Sequence, residues 1–405
     1  MPNPRTSRPG QAHLHRDNQQ WVFDYIIQQS GRTYHWWTDD DRALPDSVHA
    51  HAQVSKHLGR EGLASEAQAR AKEEAGDTTA ALKSYWAATR SLVKAQHHIF
   101  DVNDEKQFLY DRMRRCYDKV RELCPYRIER IEIPWEGTVV AGYLHVCPDV
   151  GRAPLLFYMP GCDTTCETSP DPTHNLNHQR GLHVFSFDGP GLGQSNMRGI
   201  KLTADNFEAA ASAALDVLVQ RPEIDPDRIV TYGGGMGSFW AVRLAATDSR
   251  IKAAATKSSY CDKYFIFTED SPRYKRLFTF LTQSTTEEEL DEAAAGMVLD
   301  GYMERIQCPT LMCTGEYDHR DPLDEVYRLF DQMTAPRELW VFADQFHPLS
   351  FRDGASLYEP MIDWLCDRLA ATEMTRAGEV VYIEPGSEGP DSPTAYLKRR
   401  WFEGL

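Results

Sequence analysis

The sequence predicts an α/β protein in which a mostly parallel sheet of eight strands follows an all-helical N-terminal region. Residues 18–125 show helical periodicity and contain no convincing strand. After residue 126, short apolar segments alternate with helices, which is typical of a parallel sheet covered on both faces. At the centre of this region, residues 228–246 (RIVTYGGGMGSFWAVRLAA) join a buried strand to an apolar helix through a glycine-rich turn.

These patterns divide the chain into four parts. Residues 1–17 are rich in Pro, Arg, Ser and Gly, and we expect them to be disordered. Residues 18–125 form a helical cap, residues 126–373 the sheet domain, and residues 374–405 an extended tail. The acidic segment 260–306 is a helical insertion of the kind that covers a binding site. The predicted strands are residues 126–134, 139–146, 154–159, 183–187, 228–232, 251–257, 310–314 and 338–342.

Composition excludes several classes of partner. The 405 residues include 44 Lys and Arg against 60 Asp and Glu, which gives a net charge of −16. Nucleic acids and anionic membranes need basic patches, so neither is an expected partner. The N-terminus lacks an apolar signal core, and no apolar run approaches the ~20 residues of a membrane span, so we expect a cytoplasmic protein.

Cysteine usage points to a reducing compartment. The nine cysteines are odd in number and contain no CxxC pair. Cys162 and Cys166 are spaced CxxxC, but further ligands at zinc-type spacing are missing, so coincidence explains the pair better than a metal does. We expect neither a metal nor an organic cofactor.

The glycine-rich turn is the first candidate site. Its five positions, Gly233 to Gly237, read GGGMG and connect a strand to a helix. In a nucleophile elbow, G-x-S-x-G, the third position carries the serine, and the flanking glycines avoid clashes of the tight backbone. Here the third position is Gly235. A phosphate-binding loop or a plain turn are the alternative interpretations.

The loop after the strand 154–159 predicts an oxyanion hole. It reads PGCDTTCE, and in an elbow-containing fold this loop supplies one backbone N–H, while the residue after the nucleophile position supplies the other. The donors would be Cys162 and Met236. Asp163 and Glu167 lie in the same loop, and binding substrate or capping the loop are equally good interpretations of their carboxylates.

Two further strand ends predict an acid and a base. Asp318 follows the strand 310–314, where a carboxylate can orient an imidazole, and Asp321 is the second choice. His347 follows the strand 338–342. The chain order of elbow, aspartate and histidine, each at a strand end, favours His347 as the general base.

Three other features have weaker interpretations. The DGPGLGQS segment after the strand 183–187 superficially resembles a dinucleotide loop, but Pro190 and the missing acidic ribose ligand favour a structural loop beside the elbow. Trp36 and Trp37 belong mostly to the core of the cap, although one of them facing a substrate pocket is an alternative. Tyr260, at the start of the insertion, is a further candidate for substrate binding.

Together these segments resemble the α/β-hydrolase family that includes 2,6-dihydroxypseudooxynicotine hydrolase, fungal polyketide-shortening hydrolases and FrsA-like esterases. The resemblance covers nearly the whole chain. The motifs that carry it are AGDTTAALKSYWAATRSLVKAQHHIF, PGCDTTCET (close to the family form GGLxSTKEE), FDGPGLGQS, CPTLMCTGEYD and IDWLCDRL.

The resemblance implies that cap and sheet enclose a small substrate and that a Ser-Asp-His triad acts on it. Some members of the family hydrolyse carbon–carbon bonds of β-diketone-like aromatic ketones, and the cap often contributes to a homodimer. His347 and Asp318 match the triad, whereas Gly235 stands where the serine should be. An acidic side chain in the oxyanion loop is implicated in one member, and Asp163 or Glu167 could correspond to it.

Three explanations of Gly235 compete. In the first, a serine was exchanged in the laboratory to trap a substrate. In the second, glycine is native and His347, oriented by Asp318, activates water directly. In the third, the protein only binds a ligand or partner. We favour the second, because an oxyanion hole accelerates reactions without covalent catalysis. Ser238 and Cys162 are poor substitutes for the nucleophile, since neither lies at the tip of the turn.

The predicted function is therefore hydrolysis of a C–C or ester bond in a small aromatic or polyketide-type carbonyl compound. The aromatic cap favours a flat, apolar, oxygenated substrate over a sugar or peptide. A lyase or cyclase reaction at the same site, and a catalytically silent binding protein, are the alternatives.

Overall fold

A computed structural model describes residues 28, 44, 47–258, 272–318, 320–345, 349, 357–385, 387 and 389–404. Over these residues the chain forms one sheet with helices on both faces, preceded by a group of long helices. The mostly parallel sheet and the helices that precede it, which the sequence predicts, are confirmed.

The sheet contains ten strands in the order β1-β2-β4-β3-β5-β6-β7-β8-β9-β10. All pairs from β4 to β9 are parallel, while β1–β2, β2–β4 and β9–β10 are antiparallel. The strands are β1 Ile128–Trp135, β2 Thr138–His145, β3 Ala153–Met159, β4 His183–Asp188, β5 Ile224–Gly234, β6 Ile251–Lys257, β7 Thr310–Gly315, β8 Arg337–Phe342, β9 Val380–Ile383 and β10 Ala395–Leu397.

This sheet has two strands more than the eight that the sequence predicts. The additional strands, β9 and β10, lie in the part of the chain interpreted as an extended tail. Val380–Ile383 is buried and pairs in parallel with β8. Its four apolar side chains extend the core beyond the predicted edge of the sheet. Such a short apolar run between Gly- and Pro-containing segments carries too little periodicity to be recognised as a strand.

Ten α-helices accompany the sheet in the described part of the chain. They are α1 His51–Glu74, α2 Thr78–His97, α3 Asp104–Leu123, α4 Gly193–Met197, α5 Asn206–Leu218, α6 Met236–Thr247, α7 Pro272–Thr282, α8 Glu287–Ala295, α9 Leu323–Gln332 and α10 Tyr358–Leu369. Two of the cap helices, α2 and α3, begin at side-chain caps: Asp77 accepts the Ala80 N–H at 2.9 Å, and Asn103 accepts the Lys106 N–H at 2.9 Å. The described part of the 260–306 insertion is helical, in α7 and α8.

The cap packs directly on the loop that follows β3. Buried residues of α2 and α3 form one apolar cluster with Tyr143 of β2 and Cys166 of that loop. Two larger clusters lie on the two faces of the sheet. The cap therefore borders the carboxyl ends of the strands, where the predicted site residues lie.

Among the helices that the structure describes, none is both long enough and apolar enough to cross a lipid bilayer.

Candidate active site

The glycine-rich turn forms a tight strand-to-helix elbow. Gly235 connects β5 to α6 with φ of 56° and ψ of −131°, a backbone conformation that glycine adopts without strain. Its N–H donates to the carbonyl of Lys257 at 2.9 Å, and its carbonyl accepts the Ser238 N–H at 2.8 Å. The turn is therefore tied to the neighbouring strand β6 and to its own helix.

Two flanking glycines are required by close backbone approach. A Cβ atom on Gly233 would lie 2.0 Å from the carbonyl oxygen of Gly237, and one on Gly237 would lie 2.2 Å from that of Met159. Both distances are far below van der Waals contact, so no side chain fits at the first and fifth positions. This steric pattern is the one that G-x-S-x-G elbows show, which favours the elbow over a phosphate loop.

Ser238 has a structural role. Its Oγ is fully buried and lies 2.9 Å from the carbonyl oxygens of Gly233 and Lys257. It also accepts the Lys257 N–H at 3.1 Å. A hydroxyl held by three backbone groups is not presented to a substrate, which agrees with the expectation that Ser238 is a poor nucleophile.

The oxyanion loop lies against the elbow. A Cβ on Gly161 would be 3.5 Å from the carbonyl oxygen of Gly234, so the backbone after β3 and the turn after β5 are neighbours. Cys162 and Met236, whose N–H groups are the predicted donors, are both buried. The structure thus brings together the two segments on which the oxyanion-hole prediction depends.

Asp318 lies in a buried turn at the end of β7. Its side chain is 3% exposed, its Oδ1 accepts the Arg320 N–H at 3.0 Å, and its own N–H donates to the Gly315 carbonyl at 3.2 Å. Asp321, the second choice, is fully buried. Both carboxylates therefore occupy the strand end at which an orienting acid is expected.

His347 lies outside the described residues, so its pairing with Asp318 stays a prediction. The loops that carry the two residues are nevertheless joined: the Tyr317 N–H donates to the Gln345 carbonyl at 2.8 Å, and the Asp344 N–H donates to Glu316 at 3.0 Å. Gln345 lies two residues before His347. Trp36, Trp37 and Tyr260 also lie outside the described residues, and their proposed roles stay predictions.

The two acidic residues of the oxyanion loop differ in environment. Asp163 is half-buried, and its Oδ1 lies 3.1 Å from the position that a Cβ on Gly161 would take. Glu167 is 2% exposed and lies in a short 3₁₀ helix, Cys166–Thr168. Most carboxylates on loops are exposed to water, whereas that of Glu167 is not.

The DGPG segment supplies a carboxylate that the sequence analysis did not single out. Asp188, at the end of β4, accepts the Cys166 N–H at 2.7 Å and the Gln194 N–H at 2.9 Å. Cβ atoms on Gly189 and Gly193 would lie 2.4 Å from the Phe207 ring and 2.0 Å from Asp188. These glycines are needed for packing, which agrees with a structural loop and gives no support to a dinucleotide site.

A small cavity of about 30 Å³ lies between the cap, the oxyanion loop and the insertion. Its lining includes Gln96 and Lys106 of the cap, Cys162 and Thr165 of the loop, and Phe280 of α7. This volume has room for about two water molecules, whereas small-molecule sites typically enclose roughly 300–1,000 Å³.

Lys106 is the buried cation of this cavity. Its Nζ donates to the Gln96 carbonyl at 2.8 Å, to Gln96 Oε1 at 2.7 Å and to the Ile99 carbonyl at 3.0 Å, and it lies 4.7 Å from the centre of the Phe280 ring. Burial lowers the pKa of the Lys106 ammonium to about 7. Sequence reasoning does not detect this residue, because a lysine on an amphipathic helix normally faces solvent.

A parallel sheet, an elbow after β5, an adjoining loop after β3 and a buried aspartate after β7 define an α/β-hydrolase. A family model described as "Esterase FrsA-like" matches residues 59–276, which is more than half of the chain, so this protein belongs to the FrsA-like esterase family. A model for acetyl xylan esterases matches residues 205–367.

Several characterised proteins are similar to this chain. The 2,6-dihydropseudooxynicotine hydrolase of Paenarthrobacter nicotinovorans is 27% identical over 256 residues, which cover 63% of this chain and 68% of that protein. The α/β-hydrolase xenA of Xenoacremonium sinensis is 30% identical over 195 residues, and the match spans only 45% of its length. A crystal structure of 2,6-dihydroxy-pseudo-oxynicotine hydrolase superposes with a TM-score of 0.71 at 24% identity and covers 88% of this chain and 98% of that one.

Proposed function

We propose that this protein hydrolyses a C–C bond of a β-diketone-like compound, or an ester bond, without a serine nucleophile. The observation that carries the proposal is Gly235 at the tip of an otherwise complete elbow, with the oxyanion loop packed beside it. The turn keeps the shape that a serine would need, and the buried Asp318 keeps the position from which an acid orients a histidine.

In the proposed reaction, His347 takes a proton from a water molecule as the water oxygen attacks the substrate carbonyl carbon. The backbone N–H groups of Cys162 and Met236 stabilise the oxyanion that forms, a contribution worth ~10²–10³-fold in rate per donor in other hydrolases. The missing hydroxymethyl group at Gly235 leaves room for the water.

Collapse of the oxyanion then breaks the bond. In a β-diketone the C–C electron pair leaves as an enolate, and the imidazolium of His347 returns its proton to the enolate carbon. In an ester the electron pair leaves on the alkoxide oxygen, which takes the same proton. Either path adds one water and yields a carboxylate, and both fit a family whose members are described as esterases and C–C hydrolases.

We propose a small aromatic or polyketide-type carbonyl compound as the substrate. Two aromatic rings, Phe100 and Phe280, stand in the wall of the cavity beneath the cap and support an aromatic substrate. The relatives support it as well, since one is named 2,6-dihydropseudooxynicotine hydrolase.

Product analysis in ¹⁸O-labelled water tests the proposal. A 1-aryl-1,3-diketone and an aryl ester serve as substrates, and the His347→Gln variant serves as the control. We expect one solvent ¹⁸O in the carboxylate product and a loss of about 10²-fold or more in the variant. An unlabelled product with a rearranged skeleton would indicate a lyase or cyclase, and tight binding without turnover would indicate a binding protein.

A further inference from the structure

Two buried carboxylates meet beneath the oxyanion loop. Glu167 is 2% exposed and Asp188 is fully buried. One carboxylate oxygen of each residue and the Cys166 sulfur all lie within 4.8 Å of one another. Two negative charges at this distance, away from water, repel each other strongly.

The two carboxylates have unequal hydrogen bonding. Asp188 accepts two backbone N–H groups, from Cys166 at 2.7 Å and from Gln194 at 2.9 Å, and such bonds stabilise an ionised carboxylate. Glu167 Oε2 is buried and has no hydrogen-bond partner among the described residues. Ionisation of both residues would therefore leave one oxygen of Glu167 charged and without a donor in the interior.

The groups around the pair do not supply a neutralising cation. Within the described part of the chain, neither Glu167 nor Asp188 forms an ion pair with a lysine or arginine. Arg114 favours the ionised form of Glu167 only through its charge, at longer range. The groups that face the pair are Tyr110, Arg114 and Tyr117 of α3, Tyr143 of β2, and Thr165, Cys166 and Gln194 of the two loops.

We propose that Glu167 and Asp188 hold one proton between them and that this shared proton fixes the oxyanion loop. Asp188 anchors the loop through the Cys166 N–H, four residues after Cys162. With one proton shared, the pair carries a single negative charge, so repulsion between two buried carboxylates does not disrupt the anchor. The proposal makes Asp188 a positioning residue, and its link to catalysis rests on the proposed function.

The pKa shifts of Glu167 and Asp188 agree with a proton shared between the two carboxylates. Burial raises the pKa of both carboxyls, and the charge of Glu167 raises that of Asp188 further. The proton belongs to the pair, because such groups titrate together. Burial also raises the pKa of the Cys166 thiol well above its usual value. A neutral thiol and an Asp188 already engaged by two N–H groups make a proton a better fit here than a metal ion.

The pH dependence of stability follows from the sign of these shifts. The unfolded chain releases both protons near its ordinary carboxyl pKa, whereas the folded pair keeps one proton to higher pH. The contribution of the pair to stability is therefore complete at low pH and is lost as the pH rises through its raised folded pKa. Replacing Glu167 by a neutral isostere removes this loss.

Thermal unfolding of Glu167→Gln between pH 5 and pH 9 tests the proposal. The matched control is Glu105→Gln, which removes the same charge from an exposed position on α3. We expect the difference in Tm between Glu167→Gln and the wild type to rise by roughly 2 °C or more from about pH 5 to about pH 9. The difference in Tm between the control and the wild type should stay the same over this range. A difference that is constant with pH, or that falls, would overturn the proposal.

Two further measurements on the wild type test the proposal, and neither requires catalysis. Infrared difference spectra of the wild type should contain the C=O band of a buried protonated carboxyl at pH 7 and lose it at high pH. Zn²⁺ added after chelation should leave the wild-type Tm unchanged; a rise that Glu167→Gln abolishes would assign the pair to a cation instead. Neither readout requires turnover, so failure of the proposed hydrolysis would leave the result intact.

Discussion

Ser238 stabilises the elbow at the scale of a single residue. Its hydroxyl links the backbone of β5, at Gly233, to that of β6, at Lys257, and the Lys257 carbonyl also receives the Gly235 N–H. One side chain therefore fixes the turn on which residue 235 is carried. Gly235 itself adds no strain, because its positive φ is free for glycine and would be costly for serine.

The Ser238→Ala variant should be less stable than the wild type. The change leaves the buried Lys257 N–H without its acceptor, which costs about 1–3 kcal/mol in the free energy of unfolding. Urea unfolding measures this loss, with Ser249→Ala at an exposed position as the control. Equal stability of the two variants would show that the hydroxyl does not hold the turn.

At the scale of secondary-structure elements, a buried histidine joins the cap to the sheet. His145, the last residue of β2, lies between the hydroxyls of Tyr117 on α3 at 3.0 Å and Tyr126 at 3.1 Å. Burial lowers its pKa to about 3, and burial likewise lowers the pKa of the neighbouring His178 to about 4. The junction therefore requires neutral imidazoles.

Acid should weaken this junction. The unfolded chain takes up protons near the ordinary histidine pKa of ~6.5, but the folded protein does not. The contribution of the two neutral histidines to the free energy of unfolding is therefore fully present above that pH, and it is lost as the pH drops towards 3–4. We expect His145→Gln to lose less stability than the wild type between pH 7.5 and pH 4.5. Tm measurements decide this, with exposed His174→Gln as the control; an equal acid loss in all three proteins would contradict the account.

The sequence predicts local parts of the fold better than the contacts between distant parts. The elbow was predictable because all five of its residues are adjacent and their glycines have a steric cause. The pairing of Glu167 with Asp188 was not, because the two lie on different loops and meet only through the packing of β3 beside β4. Burial of Lys106 likewise depends on α7, which is far away in sequence.

At the scale of the whole molecule, the sheet, cap and insertion meet at the candidate active site, where Gly235 is the third residue of the elbow. The carboxyl ends of β3, β5 and β7 bring the oxyanion loop, the elbow and Asp318 to one edge of the sheet. We propose that this edge presents residue 235 to a working oxyanion hole and that the chain with Gly235 reacts without a covalent intermediate.

Reaction with a fluorophosphonate probe, read by intact mass, tests that claim most directly. We predict no label on the wild type and one label on Gly235→Ser, located at the introduced side chain. Gly234→Ser is the matched control, because a Cβ there meets nothing closer than 3.7 Å, and it should stay unlabelled. Labelling of the wild type would reveal another nucleophile, and absence of label on Gly235→Ser would show that the elbow does not present this residue to the site.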